Sequence, residues 1–460
     1  MTELSTPPMP HKQRLLWLVA VAFFMQTLDS TILNTALPTM ARSLGESPMK
    51  MQSVLVAYTL TTAMLIPATG WVADRFGLRR IYALAITLFV AGSVLCALSP
   101  SLPFLVVARV VQGVGGAMML PVGRLAVLRI YPHDQFLRAM TVIAIPGQVG
   151  PLLGPTLGGW IVQYATWHWI FWINVPVGLT GLWAIWRWFP YFAPQPVRKF
   201  DSAGYAMLAF AMVAVSVALD GLSSLGLGMS LVVVLMVFGL ASLASYWMHA
   251  LRVPQPLFSP RLFTVRSLRV GLLGNLFSRF GSSAAPYLIP LLLQIGLHLS
   301  PMHAGMMMLA TVIGSMMVKR IAVRTVRRFG YKRVLQVNSV FLAFMLGSFG
   351  LVSVGTPLQL LLVQLFIFGC FNSMQFSAMN SVTLKDLEGE FASSGNSLLS
   401  MVQMLAMSMG VALAGSLLTG YTDMWHGHPD VRMQAIRATF ATVALMTLAS
   451  TMVFSQLDEN

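Results

Sequence analysis

The sequence predicts an all-α polytopic membrane protein, on three observations. Of 460 residues, 57% are apolar and only 9% are charged. Soluble domains carry roughly 25% charged residues, and a soluble surface, which grows with the fold, leaves no room for so much apolar side chain. The apolar residues also come in runs of the roughly 20 residues that cross about 30 Å of hydrocarbon. Finally, the basic residues between those runs are unevenly shared.

The runs, in order, are Leu15–Pro38, Gln52–Val72, Ile81–Leu98, Leu102–Gly123, Ala139–Val162, Trp167–Phe189, Ala203–Leu219, Leu227–Ala250, Leu268–Leu297, Met302–Val323, Val334–Val354, Leu358–Leu384, Ser397–Thr419 and Ala435–Gln456. That makes 14 predicted spans. The seventh is short, and the ninth holds Arg279, Pro286 and Pro290. The first run is too long for a signal peptide and no small-residue cleavage site follows it, so it is expected to be a retained span. Trp160, Trp167, Trp169 and Trp172 cluster near one interface, as an aromatic belt does.

Net charge is +15, from 29 Lys and Arg against 14 Asp and Glu. Arg42, Lys50, Arg432 and Arg437 fall on one side, Arg109 and Arg279 fall deep inside runs, and the remainder lie on the other side. Positive charge collects on the cytoplasmic side, so both termini are expected there. A nucleic-acid partner is not expected, because the charge sits in short loops rather than a basic domain; the lipid bilayer is the expected surroundings, and anionic headgroups suit those loops. Cys96 and Cys370 both lie in runs, which indicates no disulfide framework. No Walker-type motif is present, and no loop would house a nucleotide-binding domain. No metal-ligand cluster, nucleophile motif or carboxylate pair points to an enzyme. Active transport would draw on an ion gradient and need no cofactor.

An internal repeat follows. Trp71–Ile81 echoes Arg324–Val334, with Gly77 on Gly330, Phe76 on Phe329 and Arg80 on Arg333. The same offset carries the first run onto the ninth. Runs one to six and nine to fourteen therefore read as parallel repeats, an architecture of secondary transporters. The chain divides as a six-helix bundle over 1–190, a two-helix insertion over 191–260 and a second six-helix bundle over 261–460. The insertion reads as lying outside the transport core.

Four motifs carry a family resemblance: Leu28–Pro38 in the first run, Gly70–Arg80 after the second, Arg109–Gly116 in the fourth and Gly147–Gly159 in the fifth. In this order and on these runs they resemble the major facilitator superfamily, specifically its fourteen-span drug:proton antiporters. The resemblance implies two pseudo-symmetric six-helix bundles around a central cavity, 14 spans as 6+2+6, efflux driven by the proton gradient, residence in the bacterial inner membrane and a monomer. It implies that Gly147, Gly150, Pro151, Gly154, Pro155, Gly158 and Gly159 pack one half against the other in antiporters. Their spacing also fits an ordinary tight helix contact. It implies a cytoplasmic gate of Gly70, Asp74, Arg75, Gly77, Arg79 and Arg80, with Asp74 reaching a helix start in the other half. Asp74 needs a positive partner at its helix C-terminus, and Arg75, Arg79 and Arg80 are local candidates. The same loop could instead do no more than set topology.

Asp29 lies about 15 residues beyond Arg14, roughly 22 Å along a helix, and Arg109 reaches a similar depth. A charge there costs roughly 2.5–3.5 kcal/mol to insert, which calls for a partner. Two roles are open for the pair: proton coupling, in which Asp29 titrates and Arg109 lowers its pKa, or a permanent salt bridge between two helices. The resemblance favours coupling. Arg279 has no acidic partner in the second half's runs, leaving a surplus of positive charge. Gln26, Asn34, Tyr58, Gln112, Gln148, Asn275, Asn372 and Gln375 lie at comparable depths as candidate substrate-binding residues. A cavity of that charge suits a small organic anion, such as a carboxylate or its metal chelate, since Arg binds carboxylate bidentately. A cationic drug would want buried carboxylates, and Asp29 is the one the sequence offers. Alternatively, Arg279 bonds backbone carbonyls where Pro286 breaks the helix. The competing functions are a polyspecific multidrug exporter and a passive channel; the latter has no use for a titrating pair.

Overall fold

The structure is a computed structural model that describes residues 9–131, 133–192, 199–221, 227–387, 389–427 and 430–457. The described residues are helical throughout, with no strand among them. Each predicted run falls on a helix or on a broken one. The first half holds α1 (Met9–Leu44), α2 (Gln52–Phe76), α3 (Leu78–Ala97), α4 (Leu102–Ile130), α5 (His133–Tyr164), the single turn α6 (Trp169–Trp172) and α7 (Asn174–Trp188). The insertion holds α8 (Ser202–Gly221) and α9 (Met229–Arg252). The second half holds α10 (Arg266–Ser282), α11 (Ala285–Leu291), α12 (Pro301–Phe329), α13 (Tyr331–Phe349), α14 (Leu358–Leu384), α15 (Gly389–Met424) and α16 (Val431–Phe454). By length and composition, 11 of these helices can cross a membrane.

The ninth run breaks for a stated reason. Pro286 cannot donate inside a helix, so α10 stops at Ser282 and Pro286 opens α11, where a missing N–H costs nothing. A π turn over Leu292–Gly296 follows.

The repeated loops share one backbone. Gly77 has φ 91° and ψ 134°, and Gly330 has φ 77° and ψ 160°. Each ends one helix and starts the next, in a conformation that side-chain-bearing residues rarely adopt. Gly77→Ala and Gly330→Ala are each expected to cost about 1–3 kcal/mol. Thermal unfolding of the purified variants checks this, and the double variant should show the sum, since the sites lie in different halves.

The basic face, which carries these two loops, and the distal face opposite differ in how the halves meet. At the distal face one apolar cluster runs through both halves, joining Ile32, Leu33 and Met40 to Tyr287, Leu288, Met307 and Phe440. Toward the basic face, one cluster belongs to the first half alone, with Leu15, Tyr82 and Val127. Another belongs to the second, with Val270, Leu335 and Phe454. A fourth joins α2, α8, α9, α10 and α15 along one side. Gly70 near the basic end of α2 has nothing within 4 Å of where a side chain would start. The molecule is thus shut at its distal face.

The hairpin α8–α9 lies against α15 and α2, and α9 turns Val233, Val237, Phe238 and Leu240 outward as a lipid-facing helix would. Its base is pinned by Asp201, which accepts from His249 Nε2 at 2.8 Å, Gly204 N at 2.9 Å and Leu257 N at 3.1 Å. Burial raises the Asp201 carboxyl pKa, but His249 and the two amides outweigh it, so the group stays below the usual carboxylate range.

Candidate functional site

Asp29 on α1 and Arg109 on α4 are each 1% exposed. Arg109 Nη1 donates to Asp29 Oδ2 at 2.7 Å. Gln112 Nε2 and Asn174 Nδ2 donate to Asp29 Oδ1 at 2.8 and 2.9 Å. Arg109 also donates to Gln112 Oε1 at 2.6 Å and Val54 O at 3.3 Å, and its guanidinium lies 4.3 Å from the Tyr58 ring centroid. Gln112 donates onward to Ser93 Oγ at 2.8 Å. A buried ion pair recovers its desolvation cost when its remaining donors and acceptors are satisfied, and this network does so across α1, α2, α3, α4 and α7. Asp29 and Arg109 therefore meet as expected, sealed inside the first bundle.

The sequence reading missed Ser93 and Asn174. Asn174 opens α7 just after the single turn α6, and a polar residue inside an apolar run was its one signal. Two expected cavity residues belong to this network instead. Gln112 is fully buried and Tyr58 is 4% exposed, both occupied with Arg109. Gln26 Nε2 donates to Gly116 O at 3.0 Å and is half-buried. Asn34 is buried. The Gln148 side chain lies outside the described residues.

The second half has an uncharged counterpart. Gln375 on α14 donates to Ser339 Oγ on α13 at 2.8 Å and to Ser278 Oγ on α10 at 3.4 Å. It accepts from Asn338 Nδ2 at 2.7 Å, and Ser450 on α16 donates to Ser339 Oγ at 3.3 Å. These helices are the repeat partners of α1, α3, α4 and α7. The register differs. Ser93 lies 15 residues from the start of α3 but Ser339 lies eight from the start of α13. Gln112 lies ten from the start of α4 but Gln375 lies 17 from the start of α14. Because α3 and α13 run away from the basic face and α4 and α14 run toward it, both differences place the second layer seven residues, roughly 10 Å, nearer the basic face. Gln375 and Asn275, expected to contact substrate, are instead buried, and Asn275 donates to Gly271 O at 2.9 Å.

Arg279 follows Ser278 and is half-buried. Its guanidinium lies 4.8 Å from the Phe376 ring centroid, and its Nε has no hydrogen-bond partner. Among the described residues no carboxylate comes within salt-bridge reach of it. The expected alternative, a side-chain bond to carbonyls freed by Pro286, is not seen for the Arg279 Nε. One turn earlier, Gln403 donates to Asn275 Oδ1 at 3.4 Å and to Asn380 Oδ1. Asn372 on α14 is also half-buried.

The glycine run of α5 corrects an expectation. A Cβ on Gly147 would meet Phe23, on Gly150 Thr27, on Gly154 Thr31 and on Gly158 Ile32, so this face packs on α1 within the same half. Thr35 Oγ1 donates to Pro155 O at 3.0 Å, and Thr31 Oγ1 to Gly150 O at 3.4 Å. Gly159 and Pro155 do face the other half, against Pro301 and Gly305 of α12. Pro151 sits inside the helix between these contacts.

The gate segment also differs from expectation. Asp74 pairs with Arg129 Nη2 on α4, within its own half, and reaches neither the other half nor Arg75, Arg79 or Arg80. The three local arginines are diverted or distant: Arg75 lies over Trp71, Arg79 over Trp186, and Arg80 is exposed. Arg129 was missed because 55 residues separate it from Asp74; both close helices at the basic face. A second buried acid was missed as well. Asp220, near the end of α8, is 5% exposed and accepts from Gln52 Nε2 at 2.6 Å. Asp29 is therefore not the sole buried carboxylate.

Comparison with known proteins agrees with this architecture. The family described as Major Facilitator Superfamily matches residues 19–411 and 271–458. The "Putative multidrug resistance protein MdtD" of Serratia proteamaculans is 53% identical over 88% of this chain and 85% of its own length. The protein of the same name from Cronobacter sakazakii is 49% identical over 97% and 94%. The crystal structure of a POT family transporter in complex with 5-aminolevulinic acid superposes with a TM-score of 0.70 at 15% identity, covering 95% of this chain and 94% of that one. The chain belongs to the Major Facilitator Superfamily, and it is a membrane-spanning transporter, not an enzyme.

Proposed function

We propose that the chain is a proton-driven antiporter that carries a small organic anion, a carboxylate or its metal chelate, from the cytoplasm outward across the bacterial inner membrane. One observation carries the choice of cargo. Arg279 is half-buried near the end of α10 with no carboxylate to neutralise it among the described residues, while Arg109 is matched by Asp29. A guanidinium stacked on an aromatic face, with its Nε unpartnered, suits a planar anion. Asn372, Asn380 and Gln403 add neutral hydrogen-bonding groups on neighbouring helices.

Asp29 supplies the proton site. A proton on Asp29 removes the charge that holds Arg109 and weakens the ties between α1, α4 and α7, so proton binding and helix packing are linked. The energy source is the proton gradient, with no cofactor, and the working unit is a monomer. The basic face, where α1 begins and α16 ends, is cytoplasmic by the positive-inside rule.

The relatives' name favours a second reading, a polyspecific exporter of lipophilic or cationic compounds, and the exposed Phe376 suits it. Proton flux from purified protein in liposomes separates the two. Organic anions and lipophilic cations are offered in parallel to wild type and Arg279→Ala. Anion-driven proton flux that falls at least about ten-fold in the variant, as loss of a charged hydrogen-bond partner implies, supports the first reading. Unchanged flux with every anion sinks it.

A further inference from the structure

The inserted hairpin is not a bystander. At the distal face the end of α8 touches both halves. Gln52, the first residue of α2, is fully buried and donates to Asp220 of α8 at 2.6 Å. The same amide fills the space beside Gly415 of α15, where a Cβ would stand 0.8 Å from Gln52 Oε1. Ser416, the next residue of α15, donates to Leu219 O of α8. One helix from each half and one from the insertion therefore converge on a single buried point. Tyr287 Oη on α11 bonds the Pro48 and Met49 carbonyls in the turn just before α2, at 3.4 and 3.3 Å.

The hairpin's ties are unequal. Its base is bonded to the segment leading into the second half, through Leu257 N to Asp201 and through Phe258 N to Tyr246 Oη at 2.9 Å. Its distal end is bonded to α15 through Ser416. The Asp220–Gln52 bond crosses from hairpin to first half at this face. If the distal ends of α2 and α15 separate, α8 cannot follow both.

We infer that α8–α9 moves with the second half and that the Asp220–Gln52 bond is a latch holding the distal gate shut, with Gly415 as its socket. The hairpin is thus part of the gating machinery. This does not depend on the cargo or on the proposed role of Arg279.

The test reads distances, not transport. Spin labels are placed at Met49, before α2, and Thr422, on α15, which line the same distal crevice, and at Met229, the exposed start of α9. Pulsed electron resonance on the full chain in lipid nanodiscs measures the three pairs. Asp220→Ala should raise the population with a long Met49–Thr422 distance about ten-fold, as loss of a charged hydrogen-bond partner implies. In that population Met229–Met49 should lengthen while Met229–Thr422 stays fixed. Gly415→Ala, which leaves Asp220 in place and ejects the Gln52 amide, should give the same shift and guards against a folding artefact in the first variant. The latch is overturned if both variants keep wild-type distributions. The assignment of the hairpin to the second half is overturned if Met229–Thr422 lengthens instead.

Discussion

Asp29→Asn is expected to lower stability by about 3–5 kcal/mol, because it leaves the Arg109 guanidinium buried without a counter-charge. The asparagine keeps the shape and an acceptor for Asn174 or Gln112, so the loss is one of charge rather than packing. Arg109→Met should cost a similar amount, since Asp29 would then hold a buried negative charge on two neutral amides alone. Asp29→Asn combined with Arg109→Gln should recover most of the loss, because neither charge remains to be desolvated. Thermal unfolding of the detergent-purified variants reads this, and transport separates the roles left open by the sequence. A stable double variant that still couples substrate export to a pH gradient would reduce the pair to a brace between α1 and α4. A stable but uncoupled one would give the carboxylate its coupling role. If the double variant is as unstable as the sum of the singles, the network's polar shell, not the ion pair, is what the bundle needs.

The second large effect lies in the α1–α5 seam. Gly158→Leu places a Cβ at 2.2 Å from Ile32 O and 2.7 Å from Thr35 Oγ1. Backbone cannot yield there as a flexible side chain would, so the helices must part, at an expected cost of at least about 3 kcal/mol. Folded yield in the membrane should collapse. Gly159→Leu is the informative neighbour, since its obstacle is Pro301 O, at 2.3 Å in the other half. That variant should fold, because both bundles stay intact, but be unable to close its distal face. Normal yield of Gly158→Leu on a fluorescence-monitored column would refute the seam.

Much of the fold was legible because hydrocarbon imposes length and apolarity on each helix. The Gly77–Gly330 correspondence showed the duplication directly, and both glycines have the same strained backbone. Asp29 and Arg109 stood out because charges are rare in such runs. Asn174 and Ser93 did not, since a neutral polar residue has many uses in a bundle. Nor could spacing say which way Gln112, Tyr58, Asn275 and Gln375 turn; all four serve the bundles' own interior. Asp220 was read as lying in an insertion, and a sequence gives no sign that an insertion's last turn folds back between two halves. Asp74 shows the same limit: its partner Arg129 is distant along the chain and adjacent in space.

The seven-residue displacement between the two polar layers bears on how a doubled protein diverges. Two copies with their layers at one depth would be interchangeable, and a change in one would disturb the other. Here the first copy encloses an ion pair. The second holds a neutral cluster nearer the basic face, beside Arg279. If, as proposed, the ion pair answers the proton and Arg279 the cargo, a transporter so divided can change its cargo by altering one half while its driving force stays with the other.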